Sequence, residues 1–334
     1  MRRAWGLLLL LGLVIATGVI AWVGAGTVLD TVRAAGWRVT LLAPLYLLPL
    51  TLATASWRAL LPRRRRPGFA SLAALTWIGN GVNWLLPVGQ VGGEVIKGLW
   101  ASRHGVRGDD AAASVVADKT LQVVTQILFA LIGLGLLAWH STNRNVLVGA
   151  AIGTGAFTLG VAGFVALQRR GMFRISARLM RKPLEKLGRG GIHADAHRVD
   201  EAVRALYRDR RTLLAAGALR MAFRFALVIE TGIALALLGH PAGLAKLIAL
   251  EALGQTVRAG AFFIPAGIGV QEGAFAALAI ALGIPAPVGV ALSLCKRARE
   301  LLVGVPALIV WQARLGRGVS GGAAAPGSLA SDKG

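Results

Sequence analysis

The sequence predicts an all-α polytopic membrane protein with about six transmembrane helices and two re-entrant helical hairpins, eight hydrophobic segments in all. Three observations support this class. The 334 residues are 55% hydrophobic and 16% charged, with a mean hydropathy of +0.64, too apolar for a soluble domain. Several apolar stretches reach about 20 residues, the length that spans a bilayer. A short pattern rich in proline and glycine occurs twice within them.

The first two apolar segments follow the basic pair Arg2-Arg3. Residues 5–24 predict an uncleaved first span with the N-terminus in the cytoplasm. A cleavable signal peptide is the alternative, because Gly24-Ala25-Gly26 has small residues at a suitable place. Residues 37–61 return to the cytoplasm and end at the four arginines 63–66.

The next segments complete the first half of the protein. Residues 69–100 are weakly apolar and have basic residues on both flanks, which predicts a re-entrant hairpin from the cytoplasmic side. Residues 110–139 cross outward and 146–167 cross inward. Loop 168–211 follows, and the helical spacing of five apolar residues there predicts an amphipathic helix on the membrane surface. These residues are Val199, Ala202, Val203, Leu206 and Tyr207.

The second half repeats this order. Residues 212–238 cross outward, 243–283 form a second hairpin from outside, and 288–312 cross back. Both termini are therefore predicted to lie in the cytoplasm, with the protein in a bacterial cytoplasmic membrane. Residues 1–315 are interpreted as one integral membrane domain. The tail 318–334 is rich in Gly, Ala and Ser, which predicts disorder.

The net charge of +22 is concentrated between the apolar segments, where it orients a membrane protein. We expect the basic loop 168–211 to contact anionic lipids of the cytoplasmic leaflet. Aromatic residues for base stacking are not interleaved with the basic clusters, so no nucleic-acid partner is predicted. The single cysteine, Cys295, excludes an internal disulfide.

The duplicated pattern reads LPVGQVGGE at residues 86–94 and IPAGIGVQE at 264–272. Proline, glycine and glutamate each recur 178 residues later. The same offset maps repeat unit 39–139 onto 217–317, and the single crossing between the units reverses their orientation. This predicts an inverted-topology repeat, which underlies alternating access in many transporters.

The hairpin tips predict a central site for a negatively charged group. Proline ends a helix and glycine permits unusual backbone conformations, so a helix that restarts at each tip points its free N–H groups at the midplane. The alternative is two kinked helices that pack at glycine crossings. The tip residues predicted to bind substrate are Pro87, Gly89, Gly92, Gly93, Pro265, Gly267 and Gly269.

Glu94 and Glu272 follow the two tips. Ionisable residues are costly inside a bilayer and are functional hypotheses by default. We expect these carboxylates to couple protons, to gate the site or to neutralise cations. The alternative is that each one caps the restarting helix.

Basic residues within apolar segments indicate the chemistry of the substrate. Arginine matches phosphate oxygens, so a phosphate-bearing substrate is predicted; the alternative is ion pairs that only fix packing. We expect Lys296 to pair with Glu300 one turn on, which leaves Arg297 and Arg299 in excess of the local carboxylates. The basic residues predicted to bind substrate are Lys97, Lys119, Arg258, Lys296, Arg297 and Arg299.

Signals for catalysis are weak. The five histidines lie in predicted loops, and the sequence has no nucleophile elbow or P-loop. His193 and His197 have the i,i+4 spacing of metal ligands, but they lie in a charged loop without cysteines. We therefore expect a protein that is not an enzyme and has no cofactor or metal.

Residues 77–94 (WIGNGVNWLLPVGQVGGE) resemble the signature of hopanoid-biosynthesis-associated membrane proteins. These belong to the flippase-like superfamily typified by the transmembrane region of lysylphosphatidylglycerol synthases. Residues 113–120 (ASVVADKT) and 264–272 fit the same pattern, and the resemblance covers roughly residues 1–315. It implies movement of a lipid between leaflets, with hopanoids or their precursors as cargo. The aminoacyl-transfer domain of the synthases has no counterpart here, so no synthase activity is expected.

Together these features predict a lipid flippase or transporter with a polar headgroup at the central site and an acyl, polyprenyl or hopanoid portion in the bilayer. The arginines favour an anionic, phosphate-bearing headgroup over a neutral hopanoid. One alternative is a non-transporting partner that anchors a lipid-biosynthesis enzyme through loop 168–211. The other is a carrier for small anions.

Overall fold

The computed structural model describes residues 24–86, 92–140, 144–169, 192–261, 264 and 267–320, together with residues 17, 18 and 22. Almost all of the predicted first span, the tail from 321 onward and three predicted tip residues (Pro87, Gly89 and Pro265) lie outside the described residues.

The described residues form twelve α-helices and contain no strand. They are α1 (Ala25–Ala35), α2 (Leu42–Leu45), α3 (Leu47–Leu60), α4 (Phe69–Leu85), α5 (Gly92–Arg103), α6 (Gly108–His140), α7 (Arg144–Arg169), α8 (Ile192–Arg208), α9 (Arg210–Leu237), α10 (Leu244–Gly260), α11 (Val270–Ala281) and α12 (Ala286–Ser320). Short 3₁₀ segments cover Gly36–Leu41 and Arg63–Arg65.

Three helical runs are long and apolar enough to cross a membrane by length and composition: Ala25–Leu60, Gly108–His140 and Arg210–Leu237. At about 1.5 Å per residue the second is about 50 Å long, more than the roughly 30 Å hydrocarbon core. Its bounds lie within two residues of the predicted crossing 110–139. The all-helical membrane class predicted from composition is therefore confirmed.

The first of these runs begins earlier than predicted. Residues 25–35 were expected to lie between two spans, yet they form α1. Gly36, at a φ of 55°, only bends the chain before the next helical turns. The Ala and Leu residues of α1 favour a helix, and no proline interrupts that stretch. At the other end, α12 continues to Ser320, so residues 318–320 of the predicted disordered tail are helical.

The duplicated sequence corresponds to a duplicated order of helices. We call α3–α6 the first unit and α9–α12 the second unit. Shifted by 178 residues, the bounds of α5 coincide with those of α11, and the start of α6 coincides with the start of α12. The units interlock, because α4 packs on α12 and α10 packs on α6, while α3 packs on α9 between them. Each predicted hairpin contains two helices, α4–α5 and α10–α11.

Large apolar side chains face outward while charged ones lie inside. Leu128, Leu131 and Ile132 on α6 are about half exposed, as are Leu301 and Leu302 on α12. This is the arrangement expected of helices surrounded by lipid tails, which offer no water to charged groups.

The predicted amphipathic helix in the basic loop is confirmed as α8, but its position differs from the prediction. Val203 is 4% exposed, and Leu206 and Tyr207 pack against Leu60 and Ala117. The Tyr207 hydroxyl also donates to Thr120 Oγ1 at 3.0 Å. The apolar face of α8 therefore covers protein rather than the membrane surface, because the long helix α6 offers it an apolar face to pack on.

Candidate binding cavity

A cavity of about 290 Å³ lies between the two units. Residues of both units line the cavity, and Tyr46, the residue just before α3, also belongs to the lining. Polar amides (Asn80, Asn83, Gln122, Gln126 and Gln255) share the lining with charged side chains. Its cations are Lys119, Arg220, Arg224, Arg258 and Arg299, and its carboxylates are Glu94 and Glu300.

On the first unit, Asp118 joins three helices by ion pairs. Lys97 Nζ lies 3.0 Å from Asp118 Oδ2 and 2.9 Å from Glu94 Oε2. Arg220 on α9 donates to the same carboxylate through Nε, at 3.0 Å, and through Nη2. Asp118 and its two partners are at most 2% exposed. Buried charges persist only when they are paired, so this network fixes α5, α6 and α9 together.

On the second unit, two further pairs link α10 to α12. Arg258 donates to both oxygens of Glu300, and Lys296 Nζ lies 2.7 Å from Glu251 Oε2. The predicted pairing of Lys296 with Glu300 along one helix is therefore wrong. The helix α10 places a charge opposite each of them, so both residues form ion pairs across the helix interface.

Arg297 and Arg299 also have carboxylate partners. Arg297 pairs with Glu272, and Arg299 Nε lies 3.1 Å from Glu230 Oε1. The two arginines were predicted to exceed only the carboxylates near them in the sequence, and their acids come from residues 25 and 69 positions away. Glu272 also accepts the Gly269 N–H at 2.7 Å. Gly269 itself has a φ of 83°, a conformation that favours glycine.

Arg299 additionally contacts two aromatic rings. Its guanidinium carbon lies 4.5 Å from the centroid of the Tyr46 ring and 5.0 Å from that of Trp84, the geometry of cation–π attraction. Asn80 donates to the Tyr46 hydroxyl at 3.0 Å. The Nη1 atom of Arg299 is buried without a hydrogen-bond partner. One donor of this paired arginine therefore has no acceptor among the described residues.

Arg224 is a cation of the cavity that pairs with no carboxylate among the described residues. Its Nη2 donates to the backbone oxygen of Gln122 at 2.8 Å, and its Nε is buried without a hydrogen-bond partner. Among the described residues it makes no ion pair. It lies one turn after Arg220 on α9, and Gln122 lies one turn after Asp118 on α6. Arg220 therefore meets the carboxylate of Asp118, whereas Arg224, one turn further on, meets only a backbone oxygen of Gln122.

Of the residues predicted to bind substrate, Glu94, Lys119, Arg258 and Arg299 line the cavity. Lys97, Glu272, Lys296 and Arg297 lie in ion pairs behind it. Gly92 begins α5, and Gly267 and Gly269 shape the turn before α11.

Gly93 lies where α5 crosses α4. A Cβ added to it would lie 2.0 Å from the carbonyl oxygen of Gly79, so this glycine permits a close helix crossing, the packing alternative for the tips. None of the described tip residues reaches the lining, whereas Glu94, which follows the first tip, does.

Sequence reasoning missed Arg220 and Arg224. Their signal was two arginines four residues apart inside the apolar segment 212–238, one face of a membrane helix. It also missed Tyr46 and Trp84, for which no sequence signal stands out. Within the part of the chain that the structure describes, no three His, Cys, Asp or Glu side chains lie together as metal ligands.

The helices and the cavity define an α-helical membrane protein with a charged cavity between two related units. The chain belongs to the lysylphosphatidylglycerol synthase transmembrane-region family, whose model matches residues 9–307. This confirms the superfamily to which the motifs pointed. No curated protein matches the chain, and no solved structure does.

Proposed function

We propose that this protein moves a lipid with an anionic headgroup between the leaflets of the bacterial cytoplasmic membrane. The headgroup enters the cavity while the acyl, polyprenyl or other apolar portion stays in the bilayer. The observation that carries the proposal is the lining, in which five cations face two carboxylates. A charge inside a membrane protein is costly unless it is paired or used, so an anion is the natural occupant.

The arrangement of the two units supports transport rather than catalysis. In the proposed topology, α4–α5 and α10–α11 are hairpins that enter from opposite faces, and α7 supplies the crossing that inverts the second unit. Inverted units around a central site are the architecture of alternating access. Both termini and the basic loop 168–211 then lie in the cytoplasm, where the loop faces anionic lipids.

Family membership supports a lipid as cargo, because the family is named for the membrane region of a lipid synthase. A neutral hopanoid would leave Arg224, which makes no ion pair among the described residues, without a counter-charge. The charged lining therefore favours a phosphate-bearing headgroup over the hopanoid suggested by the sequence motif.

The test is a leaflet-exchange assay with the purified full-length chain in phosphatidylcholine vesicles. Each vesicle preparation carries a trace of phosphatidylglycerol or phosphatidylethanolamine labelled with NBD on an acyl chain. Dithionite bleaches the outer leaflet, and further bleaching reports movement from the inner leaflet. We expect the protein to accelerate movement of phosphatidylglycerol more than that of the zwitterionic lipid.

The variant Arg224→Gln removes a cation of the lining that makes no ion pair among the described residues. We expect it to slow phosphatidylglycerol movement by about tenfold or more, since charge-assisted contacts to phosphate are lost. Arg204→Gln is the matched control, because Arg204 is exposed on α8 away from the lining. Lipid movement no faster than in empty vesicles, or an Arg224→Gln protein as fast as the control, would contradict the proposal.

A further inference from the structure

Three pairs of equivalent positions line the cavity from both repeat units. Each pair is separated by the same 178 residues, and the pairs are Tyr46 with Arg224, Asn80 with Arg258, and Gln122 with Glu300. In every pair, repeat unit 217–317 has a charged side chain, whereas repeat unit 39–139 has a phenol or an amide. At these positions, the first repeat therefore gives the cavity uncharged groups that form hydrogen bonds.

Two asparagines of α4 are each held at one end of the side chain. Asn80 Nδ2 donates to the Tyr46 hydroxyl at 3.0 Å, and Asn83 Oδ1 accepts the Gly93 N–H at 2.8 Å. The side-chain oxygen of Asn80 remains an acceptor, and the amide nitrogen of Asn83 remains a donor. Both residues line the cavity, so α4 contributes one acceptor and one donor that no described residue engages.

Two glutamines of α6 continue this set. Gln126 is 3% exposed, and its Nε2 donates to Ala252 O at 3.1 Å and to Thr256 Oγ1 at 2.8 Å, which leaves its side-chain oxygen as an acceptor. Gln122 uses only its main-chain oxygen, which accepts Arg224 Nη2 at 2.8 Å. Its side-chain amide has no hydrogen-bond partner among the described residues, so it supplies both a donor and an acceptor.

The unengaged amide atoms are accessible rather than enclosed by protein. None of them is among the described side-chain atoms that are buried without a partner, and all four residues line the cavity. A phosphate oxygen could use only the donors of this set, and an ammonium group could use only the acceptors. A hydroxyl group both donates and accepts, so hydroxyl groups are the chemistry that uses the whole set.

We propose that the headgroup carries an uncharged polyol or sugar beside its phosphate, and that the amides of α4 and α6 bind its hydroxyl groups. This inference rests on the proposed function and specifies its substrate class. Because Gln122 contacts Arg224, a phosphate at Arg224 brings the adjoining part of the headgroup to the amides. The cavity of about 290 Å³ has the volume of about ten water molecules, more than a phosphate group fills.

The experiment is native mass spectrometry of the 334-residue chain in detergent. The protein is incubated with equal amounts of phosphatidylpropanol, phosphatidylglycerol and phosphatidylinositol, which have the same acyl chains and the same single negative charge. Their headgroups carry no hydroxyl, the glycerol hydroxyls and the inositol hydroxyls, respectively. We expect retention to rise along this series, with phosphatidylinositol retained about tenfold or more over phosphatidylpropanol. The reason is that a site built to bind hydroxyl groups rejects an analogue that lacks them.

The variant Gln122→Met removes the amide and keeps the length of the side chain. Arg224 keeps its main-chain acceptor at residue 122, so retention of phosphatidylpropanol should stay the same. The preference for phosphatidylinositol should fall by about threefold or more, because hydrogen bonds to its hydroxyl groups are lost. Gln312→Met is the matched control, since Gln312 is exposed on α12 and lies outside the lining. Size-exclusion profiles identify a variant that fails to fold, and the lipid series on the unmodified chain decides the proposal without it.

The outcomes separate this inference from the proposed function. Equal retention of the three lipids would overturn the recognition of hydroxyl groups and leave an anionic lipid in place. A preference for phosphatidylinositol that stays complete in Gln122→Met would overturn the assignment of this recognition to the amides. Retention of all three no greater than that of phosphatidylcholine would overturn both proposals.

Two further probes test the other ligands that these groups could take. Phosphatidylethanolamine supplies an ammonium group, and its retention above phosphatidylinositol would overturn both proposals, because the amide oxygens would then bind a cation. Glycerophosphoinositol, the water-soluble form of the headgroup, is added as a competitor. If it displaces phosphatidylinositol at equal concentration, the site takes a free polyol phosphate and the lipid is overturned.

Discussion

The two units use the same sequence positions in different ways. Glu94 and Lys119 in the first unit line the cavity, whereas their equivalents Glu272 and Arg297 pair with each other behind it. In the second unit, each buried acid pairs with one cation of that unit: Glu230, Glu251, Glu272 and Glu300. In the first unit, Asp118 instead pairs with two cations, Lys97 and an arginine of α9. Equivalent residues thus line the cavity in the first unit and lie behind it in the second unit. This is the asymmetry expected if the units exchange roles during transport.

The largest expected effect follows from the shared carboxylate. Asp118→Asn leaves Lys97 and Arg220 buried without their common acceptor, so the free energy of unfolding should fall by about 3–5 kcal/mol. The equivalent position in the second unit is Lys296. Lys296→Met should cost less, because Glu251 keeps hydrogen bonds from the Thr231 hydroxyl at 2.6 Å and a glutamine amide at 3.0 Å.

Both variants can be compared by SDS titration of the purified chain, followed through tryptophan fluorescence. If Lys296→Met unfolded at as low an SDS concentration as Asp118→Asn, the shared carboxylate of the first unit would be no more important for stability than the simple pair of the second unit.

A smaller effect is expected where α4 and α5 cross. Gly93 has no space for a side chain, but its equivalent Gln271 has one that hydrogen-bonds Ser293 Oγ at 2.9 Å. Gly93→Ala should therefore separate the crossing and destabilise the chain by about 1–3 kcal/mol. Gly98→Ala on the same helix is the control, since its added Cβ would meet only Val115 Cγ2 at 3.7 Å. Equal stability of the two variants in the same titration would argue against a close crossing.

The sequence was sufficient for the order of the long helices and for the bounds of several of them. The lengths of the apolar stretches and the 178-residue offset placed α6, α9 and the start of α12 within a few residues. This works because a helix that crosses lipid needs about 20 consecutive apolar residues. It also placed Glu94, Lys119, Arg258 and Arg299 among the site candidates, since charges inside apolar segments are rare.

The choice of ion-pair partner was not predictable in the same way. Arg299 pairs with an acid 69 residues away, and Arg220 pairs with one 102 residues away. Such pairs depend on which helices become neighbours, whereas the expected Lys296–Glu300 pair used only spacing along one helix. The cation–π contacts of Arg299 with Tyr46 and Trp84 likewise arise only when three separate segments meet.

The smallest effect distinguishes binding from movement. Lys119→Gln alters the lining and should weaken retention of anionic lipid and slow its movement together. Arg297→Gln alters a residue behind the cavity, so retention in this conformation should change by less than about twofold. If the units exchange roles, Arg297 faces the headgroup in the opposite conformation, and movement should slow by roughly two- to tenfold. The leaflet-exchange and mass-spectrometry assays measure the two quantities separately. If each variant lost retention and movement equally, Arg297 and Lys119 would be equivalent in sequence without exchanging roles. If movement were unchanged in Arg297→Gln, the second unit would not open to the headgroup.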